Sequence, residues 1–296
     1  MLNVGHAVHE ADWNFKDITS PFTRIYYVTE GTATVTIGDR THHLSPDNMY
    51  IIPAFTRHSD SCGSRFCHYY VHIYEEAASG GTLIDKYDFP FEIPGIPLDR
   101  TLFQALCDHN SSMALKASDP RIYDNKTSLI ECVRLNRERP VWDRMEPAGI
   151  IFQLLGRFVK EATPKYDAKD SRVREAISLI NARTSEPVRV DSLAKAVHMT
   201  PDHFIRLFKK EMGCTPAQFI IERRMTQAML MLSAEPLMTK EVAYALGYDN
   251  LSYFSRLFKR HTGLTPGAYR ERFNSATPKT ANKYPPVDRP GVASES

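Results

Sequence analysis

The first and last thirds of the chain carry different hydrophobic patterns. Within residues 250–273, Phe254, Leu257 and Phe258 recur at helical spacing, so one face of a helix there is apolar and must be buried. The opposite face is small, polar and cationic, and comprises Ser252, Ser255, Arg256 and Lys259. A helix with these two faces suits a DNA major groove. An ordinary solvated helix has a similar composition, so this stretch alone leaves both interpretations open.

The same pattern occurs at a constant offset of 50 residues, over residues 203–219. The two copies share, in phase, Phe204 and Phe254, Arg206 and Arg256, Lys209 and Lys259, Gly213 and Gly263, and Thr215-Pro216 and Thr265-Pro266. The glycines predict left-handed helix ends, and the prolines suit the first position of the next helix. A shorter helical pattern precedes each copy, at 193–199 and 242–248. The chain therefore predicts two helix-turn-helix units, joined by a helix over residues 217–232.

Residues 22–74 predict β-structure instead. Short runs rich in Tyr, Ile, Val and Thr alternate with turn signals, at 22–29, 32–37, 48–53 and 66–74. Strands at this spacing favour an antiparallel barrel or jelly roll. Residues 80–98 read as an irregular connection, and three helical patterns follow between 98 and 162, at 101–117, 127–138 and 147–162. Their apolar stripes either cover the barrel or pair with a second copy of the chain.

The C-terminal repeat resembles the paired helix-turn-helix units of the AraC/XylS-type transcription regulators, over about residues 172–273. The first hundred residues resemble, more loosely, the cupin-like sensor domain at the front of many members. The resemblance implies an α+β two-domain fold: an N-terminal cupin-like β-barrel or jelly roll with accessory helices, then an all-α domain with two helix-turn-helix motifs joined by a long helix. The expected segments are a sensor domain (1–98), a helical accessory or dimerisation segment (99–162), a linker (163–170), a DNA-binding domain (171–274) and a disordered tail (275–296).

The same resemblance implies a function. We expect a sequence-specific transcription regulator, not an enzyme, whose barrel senses a small molecule and whose two motifs read adjacent major grooves. Its expected partners are double-stranded DNA, a small-molecule effector, a second copy of the chain and, if it activates, RNA polymerase. No cofactor or metal is expected.

Charge and composition agree with this interpretation. The formal net charge is +2, but residues 171–274 hold 16 Lys and Arg against 10 Asp and Glu. Because phosphate contacts supply most non-specific DNA affinity, a cationic excess in the repeat segment is what DNA binding needs. The 5 cysteines are scattered without a CxxC pair, and no apolar run is long enough to span a membrane. We therefore expect free thiols in the cytoplasm.

The predicted DNA-binding residues lie on the outer faces of the two reading helices. They are Asp202, His203, Ile205, Arg206 and Lys209 in the first copy, and Leu251, Ser252, Ser255, Arg256 and Lys259 in the second. Arginine can bridge guanine O6 and N7, whereas lysine more often meets phosphate. Asp202 is unusual, since a carboxylate repels phosphate and suits only a cytosine amino group.

The predicted effector site lies among the strands. His68, Tyr70 and His72 alternate along one face of the last strand, and Arg24 and Tyr26 share a face of an earlier one. With His58 they offer aromatic rings and hydrogen-bonding groups to a small polar ligand. The alternative is that each is a rim residue or a core aromatic with a satisfied polar tip.

Two other functions stay open. A cupin-type metalloenzyme with a DNA-binding appendage would need an HxH pair followed by Glu, but His42 and His43 are adjacent and so point to opposite faces. A regulator without a small-molecule effector would instead be controlled by a partner protein at the barrel.

Overall fold

The computed structural model describes residues 1–75, 82–166, 168–182, 188–235 and 237–274. The predicted disordered tail, 275–296, lies outside the described residues, as does Asp167 of the predicted linker. Within the described ranges, no helix is both long enough and apolar enough to cross a bilayer.

Strands build the N-terminal region, here called the sheet domain. They are β1 Asn3–Glu10, β2 Phe15–Ile18, β3 Thr23–Gly31, β4 Ala33–Ile37, β5 Arg40–Leu44, β6 Asn48–Ile52, β7 His58–Ser61, β8 Arg65–Ile73, β9 Tyr87–Asp88, β10 Glu92–Pro94 and β11 Thr163–Pro164. One antiparallel sheet has the order β1-β8-β3-β6-β10 and a second has β2-β7-β4-β5. The short strands β9 and β11 pair with each other, which ties the start of the predicted linker to the sheet domain.

The alternating pattern predicted β3, β4, β6 and β8 but missed β1, β2, β5, β7 and the short strands β9, β10 and β11, two of which lie in the stretch predicted to be irregular. Strand β1 pairs with β8 along its whole length, from Asn3 opposite His72 to Glu10 opposite Arg65. The β1 sequence, NVGHAVHE, has too few apolar and β-branched residues to predict a strand. Its extended conformation therefore comes from pairing with β8 and not from local propensity.

The two sheets enclose an aromatic core, and the outer face of the first sheet is covered by helices. Side chains of both sheets, including Trp13, Tyr26, Val35 and Phe66, form the inner core. The outer face of the first sheet packs Ile25, Val71 and their neighbours against the helices that follow. Helices α1 Leu83–Lys86, α2 Pro97–His109 and α5 Val141–Glu161 supply this packing, whereas α3 Pro120–Tyr123 and α4 Lys126–Glu138 pack with Leu2 and Phe22 in a separate small cluster.

Helix α5 begins earlier than the sequence pattern predicts. The pattern placed Pro147 at the start, but the helix runs from Val141 straight through this proline. Proline lacks the N–H that would bond the carbonyl of Asp143, four residues back. Arg139 Nη2 donates to that carbonyl oxygen at 3.0 Å, so the freed acceptor is satisfied and the helix continues.

The C-terminal domain is all-helical. Its helices are α6 Ser171–Ala182, α7 Val190–Ala196, α8 Pro201–Met212, α9 Pro216–Ala234, α10 Thr239–Ala245, α11 Leu251–Thr262 and α12 Pro266–Asn274. The N-terminal half of α9 contributes Phe219 and Ile220 to a first core with α6, α7 and α8. Its C-terminal half contributes Met225 and Leu232 to a second core with α10, α11 and α12. We call these halves the first and second subdomains.

The second subdomain packs directly on the sheet domain. Helix α4 lies against α9 and α12. Phe55, from the turn after β6, packs against the second core. Arg272 Nη2 donates to Thr19 Oγ1 at 3.2 Å. We call this set of contacts the docking contact. Among the described residues, the first core draws only on the linker and the C-terminal domain itself.

Candidate nucleic-acid interface and ligand cavity

Each subdomain holds its second helix by the same devices. The turn before α8 passes through His198 at φ 55°, and the turn before α11 passes through Gly247 at φ 75°, both left-handed. Gly213 and Gly263 end α8 and α11 in the left-handed conformation, and their N–H groups donate to the carbonyls of Lys209 and Lys259. The start differs, because Asn250 Oδ1 accepts from the Tyr253 N–H at 2.9 Å whereas Thr200 makes no such side-chain bond.

Paired phenylalanines fix which face of each helix points inward. Phe204, Phe208, Phe254 and Phe258 are all fully buried. The opposite faces carry the ten predicted DNA-binding side chains: Asp202, His203, Arg206, Lys209, Leu251, Ser252, Arg256 and Lys259 are exposed, while Ile205 and Ser255 are half-buried. The cationic sides of both helices therefore point to solvent, as a groove-reading surface requires.

The two outer faces offer different chemistry. The guanidinium Nε of Arg206 donates to the backbone carbonyl of Asp202, one turn earlier, at 3.4 Å, so the acidic and basic residues lie on the same side of α8. Around Arg256 the side chains are instead small and neutral, Ser252 and Ser255. Both helices end with lysines whose charge favours phosphate.

A cavity of about 210 Å³ opens in the sheet domain. Four of the six predicted effector residues line it: Tyr26, His68, Tyr70 and His72. The remaining lining residues are His6, Ala7, Val8, His9, Trp13, Leu115, Ser118 and Tyr123. His9 and Trp13 come from the unpredicted strand β1 and the loop after it, and Tyr123 ends the unpredicted helix α3, so the strand pattern gave no signal for them.

The other two predicted effector residues, Arg24 and His58, are buried and do not line the cavity, so the prediction is wrong for them. Arg24 is fully buried and donates to Tyr123 Oη at 2.7 Å, to His72 Nε2 at 3.3 Å and to Asp124 Oδ2 at 2.9 Å. The Nδ1 of His58 lies 2.9 Å from the Thr56 carbonyl oxygen, and its Nε2 lies 3.9 Å from Asp60 Oδ1. The positive charge of Arg24 is thus already matched by a carboxylate of this chain.

Burial favours the neutral form of the cavity histidines His9, His68 and His72. Burial lowers the pKa of His9 and lowers those of His68 and His72 well below the usual value, and for His72 the nearby Arg24 lowers it further. His9 Nε2, His68 Nδ1 and His72 Nδ1 are buried ring nitrogens without a hydrogen-bond partner in the part of the chain that the structure describes. They can exchange hydrogen bonds with an uncharged polar molecule. No group of three His, Cys, Asp or Glu side chains within the described ranges is placed to hold a metal ion.

A sheet domain with a polar cavity, followed by two helix-turn-helix subdomains with cationic outer faces, defines the class of protein: a ligand-responsive, DNA-binding helix-turn-helix regulator. Residues 193–272 match the family described as a helix-turn-helix domain, and residues 3–114 match the AraC-like ligand binding domain. The chain is an AraC-type DNA-binding regulator, which confirms the resemblance drawn from its sequence and the predicted two-domain fold class.

Several characterised or catalogued regulators are similar along most of the chain. An uncharacterized HTH-type transcriptional regulator of Escherichia coli (strain K12), YdiP, is 24% identical over 92% of this chain and 82% of its own length. The lactose operon transcription activator of Staphylococcus xylosus is 22% identical over 84% of each. Among solved structures, the DNA-binding domain of the global transcriptional factor AdpA in complex with a target DNA is 26% identical, covers 38% of this chain and 100% of that one, and has a TM-score of 0.35.

Proposed function

We propose that the chain is a sequence-specific transcription regulator whose helices α8 and α11 read successive major grooves on one side of DNA. The observation that carries this proposal is the repeated cationic outer face, on two helices anchored to opposite halves of α9. Successive grooves require the reading helices to stand about 34 Å apart. Arg206 and Arg256 would read bases, and Lys209 and Lys259 would contact phosphates.

Matched variants of α11 test this division of roles. Arg256→Ala should weaken binding to the specific site by about 1–3 kcal/mol and relax the base preference at one position. Lys259→Ala should weaken binding to specific and random DNA alike and reduce the salt slope by about one. The specific site comes from genome-wide mapping of bound DNA. Equal effects of both changes on specific and random duplexes would overturn the assignment.

The cavity supports a second part of the proposal, that the sheet domain binds a small uncharged polar effector. Its unpartnered imidazole nitrogens offer hydrogen bonds, and its aromatic walls offer apolar contact. We would heat the full chain with a library of sugars and small metabolites and record the melting temperature. A compound that binds the cavity raises the Tm of the parent but not of His68→Leu. If no compound raises it, control by a partner protein becomes the better hypothesis.

Helix α5 carries the proposal of a homodimer. Val141, Trp142, Met145 and Phe152 are 61%, 75%, 67% and 70% exposed, so the helix presents a row of large apolar side chains to solvent. Burying such a row against a second copy removes it from water. Phe152→Asp should convert a dimer to a monomer in analytical ultracentrifugation, whereas Leu135→Asp, an exposed apolar site on α4, should not. A parent chain that sediments as a monomer at micromolar concentration would refute the dimer.

We place the protein in the cytoplasm beside its DNA, with RNA polymerase as a further partner if it activates transcription. We also propose that it has no enzymatic activity. A stoichiometric transition metal in the purified chain, measured by elemental analysis, would instead favour the metalloenzyme alternative.

A further inference from the structure

Phe55 has a backbone conformation that its side chain disfavours. Its φ is 63°, in the left-handed region that bulky residues avoid. The Phe55 N–H donates to the carbonyl of Ser20 at 2.7 Å, which holds the turn in this shape. In this conformation the ring leaves the sheet domain and packs against the second core of the C-terminal domain. Strain of this kind persists only where surrounding contacts compensate for it.

A buried polar cluster lies directly under this turn. Ser20, whose carbonyl holds Phe55, also has its hydroxyl bonded to Arg24 and to Asp124. Arg24 Nη2 in turn donates to Asp124 Oδ2 at 2.9 Å. Asp124 lines the cleft that Arg272 and Phe273 of α12 border from the other side. The Ser20–Arg24–Asp124 cluster therefore supports the docking contact at two points, the Phe55 turn and the α12 cleft.

The other end of the cluster reaches the cavity. Arg24 Nη1 donates to Tyr123 Oη at 2.7 Å and to His72 Nε2 at 3.3 Å, and both Tyr123 and His72 line the cavity. Adjacent residues thus face different ways, with Tyr123 on the cavity and Asp124 on the cleft. A molecule that donates a hydrogen bond to Tyr123 Oη competes with Arg24 for that oxygen, whereas one that bonds the free Nδ1 of His72 acts on the ring whose Nε2 faces Arg24.

We infer that Phe55 anchors the second subdomain to the sheet domain, and that the Ser20–Arg24–Asp124 cluster makes this anchoring depend on what occupies the cavity. Occupation of the cavity weakens the docking contact and frees the second subdomain to adjust to DNA. The coupling is reciprocal. If the ligand binds more weakly when the second subdomain is docked, then docking is weaker when the ligand is bound. This inference rests on the proposed function in taking the cavity as the effector site and α11 as a DNA-reading helix.

Hydrogen exchange of the full-length chain tests the anchor without a ligand. Phe55→Gly removes the ring and also relieves the left-handed backbone, so the sheet domain should keep its melting temperature. We expect exchange in residues 226–235 and 266–273 to rise about tenfold or more, because the docking contact no longer protects these helices. Exchange in residues 190–212 of the first subdomain should stay as in the parent.

The coupling is tested by a variant inside the cavity. Tyr123→Phe keeps the ring, which packs with Leu2, Phe22 and Leu129, but removes the hydroxyl that accepts from Arg24. We expect exchange in 226–235 and 266–273 to rise severalfold. Tyr27→Phe removes a hydroxyl that donates to Asp47 at 2.9 Å, away from the cluster, and should change neither segment.

Each outcome decides one part. If Phe55→Gly leaves exchange in 226–235 and 266–273 unchanged, Phe55 is not the anchor. Arg272→Ala, which removes the hydrogen bond to Thr19, tests the same docking contact from α12. Increased exchange in Phe55→Gly but not in Tyr123→Phe overturns the coupling. DNA affinity is measured on the same preparations, so that a chain failing to bind any duplex refutes the proposed function while the exchange result still decides the docking.

Discussion

The two helix-turn-helix subdomains are built alike but carry different outer faces. Both bury a phenylalanine pair, turn through a left-handed residue and end the reading helix on a left-handed glycine. Their outer faces differ, because α8 presents a carboxylate and a branched apolar residue where α11 presents two serines. The buried residues determine the fold, and the exposed residues can vary without changing it. The same helix-turn-helix fold can therefore present different exposed side chains on α8 and α11. We therefore expect an operator whose two half-sites differ in sequence.

Their surroundings differ as well. The first subdomain follows the linker and is nearer to the sheet domain in sequence, yet the docking contact engages α9 and α12 of the second. Proximity along the chain thus does not decide which subdomain the sheet domain touches. A conformational change in the sheet domain can alter the position of α11 through the side chains packed in the docking contact. It can alter the position of α8 through the linker or through α9.

The largest expected effect comes from removing one phenylalanine of each core. Phe208→Ala and Phe258→Ala should each lower the free energy of unfolding by roughly 3–5 kcal/mol, since both rings are fully buried. Phe258→Ala should also loosen α4 and the Phe55 turn, because its core is the one that Phe55 joins. Chemical denaturation gives the energies, and hydrogen exchange gives the location.

The comparison of the subdomains would fail if Phe208→Ala loosened the Phe55 turn as much as Phe258→Ala does. Phe204→Ala is the matched control, since it removes a ring of the same size from the same core as Phe208.

Features with a local, periodic cause could be predicted from the sequence. The repeat fixed both reading helices and their buried faces, because helical spacing and glycine caps act within a few residues. The docking contact could not be predicted, since Phe55 lies in a turn whose left-handed backbone is set by a bond to Ser20, far away in the chain. Strand β1 was missed for the same reason, because its conformation comes from pairing with β8.

Only the part of the cavity lining that lies on the predicted strands could be predicted from the sequence. Alternation along a strand places His68, Tyr70 and His72 on one face, and that much follows from strand geometry. It does not show that Tyr123 closes the cavity or that Asp124 neutralises Arg24, because helix α3 arrives from about a hundred residues away in sequence. Contacts of this range depend on tertiary packing and leave no mark in a short window.

A change at Asp60 should produce the second-largest effect, and it depends on pH. Burial raises the pKa of this carboxyl to about 7, with Asp124 raising it and Arg24 lowering it. The folded chain therefore keeps a proton that the unfolded chain releases between about pH 4 and 7, so the contribution of Asp60 to stability falls as pH rises through that window. Asp60→Asn should gain roughly 1–3 kcal/mol relative to the parent between pH 4 and 8, measured by denaturation at each pH.

The neighbouring His58 has the opposite sign, because burial lowers its pKa to about 4 and the unfolded chain takes up a proton below pH 6.5. The same comparison on a His58→Gln background removes the contribution of this imidazole, whose Nε2 lies 3.9 Å from Asp60 Oδ1. Because the charges of Arg24 and Asp124 act on the pKa of Asp60, its pH dependence should appear in the exchange of the second subdomain and be weaker in the first. If hydrogen exchange in the two subdomains depended equally on pH, the sheet domain would not act preferentially on the second subdomain.

The two turns give a smaller effect. Gly247→Ala should lower the free energy of unfolding by roughly 1–2 kcal/mol, since its φ of 75° is unfavourable for any residue with a Cβ. His198→Gly relieves the same conformation in the first turn, where φ is 55°, and should be neutral or slightly stabilising. Thermal melting of the two variants measures both. A stabilised Gly247→Ala chain would show that the turns are not equivalent.

The smallest expected effect exchanges outer-face chemistry between the copies. Asp202 occupies in α8 the position of Ser252 in α11, and its carboxylate repels phosphate. Asp202→Ser should therefore strengthen binding to random duplex by about 0.5–1 kcal/mol, and Ser252→Asp should weaken it by a similar amount. Fluorescence anisotropy at several salt concentrations measures both, and the difference should shrink as salt screens the charge.

Asp249→Ser, which removes an exposed carboxylate in the turn before α11, is the control for net charge alone. If it strengthens binding as much as Asp202→Ser does, the effect belongs to the overall field of the domain and not to the reading face of α8.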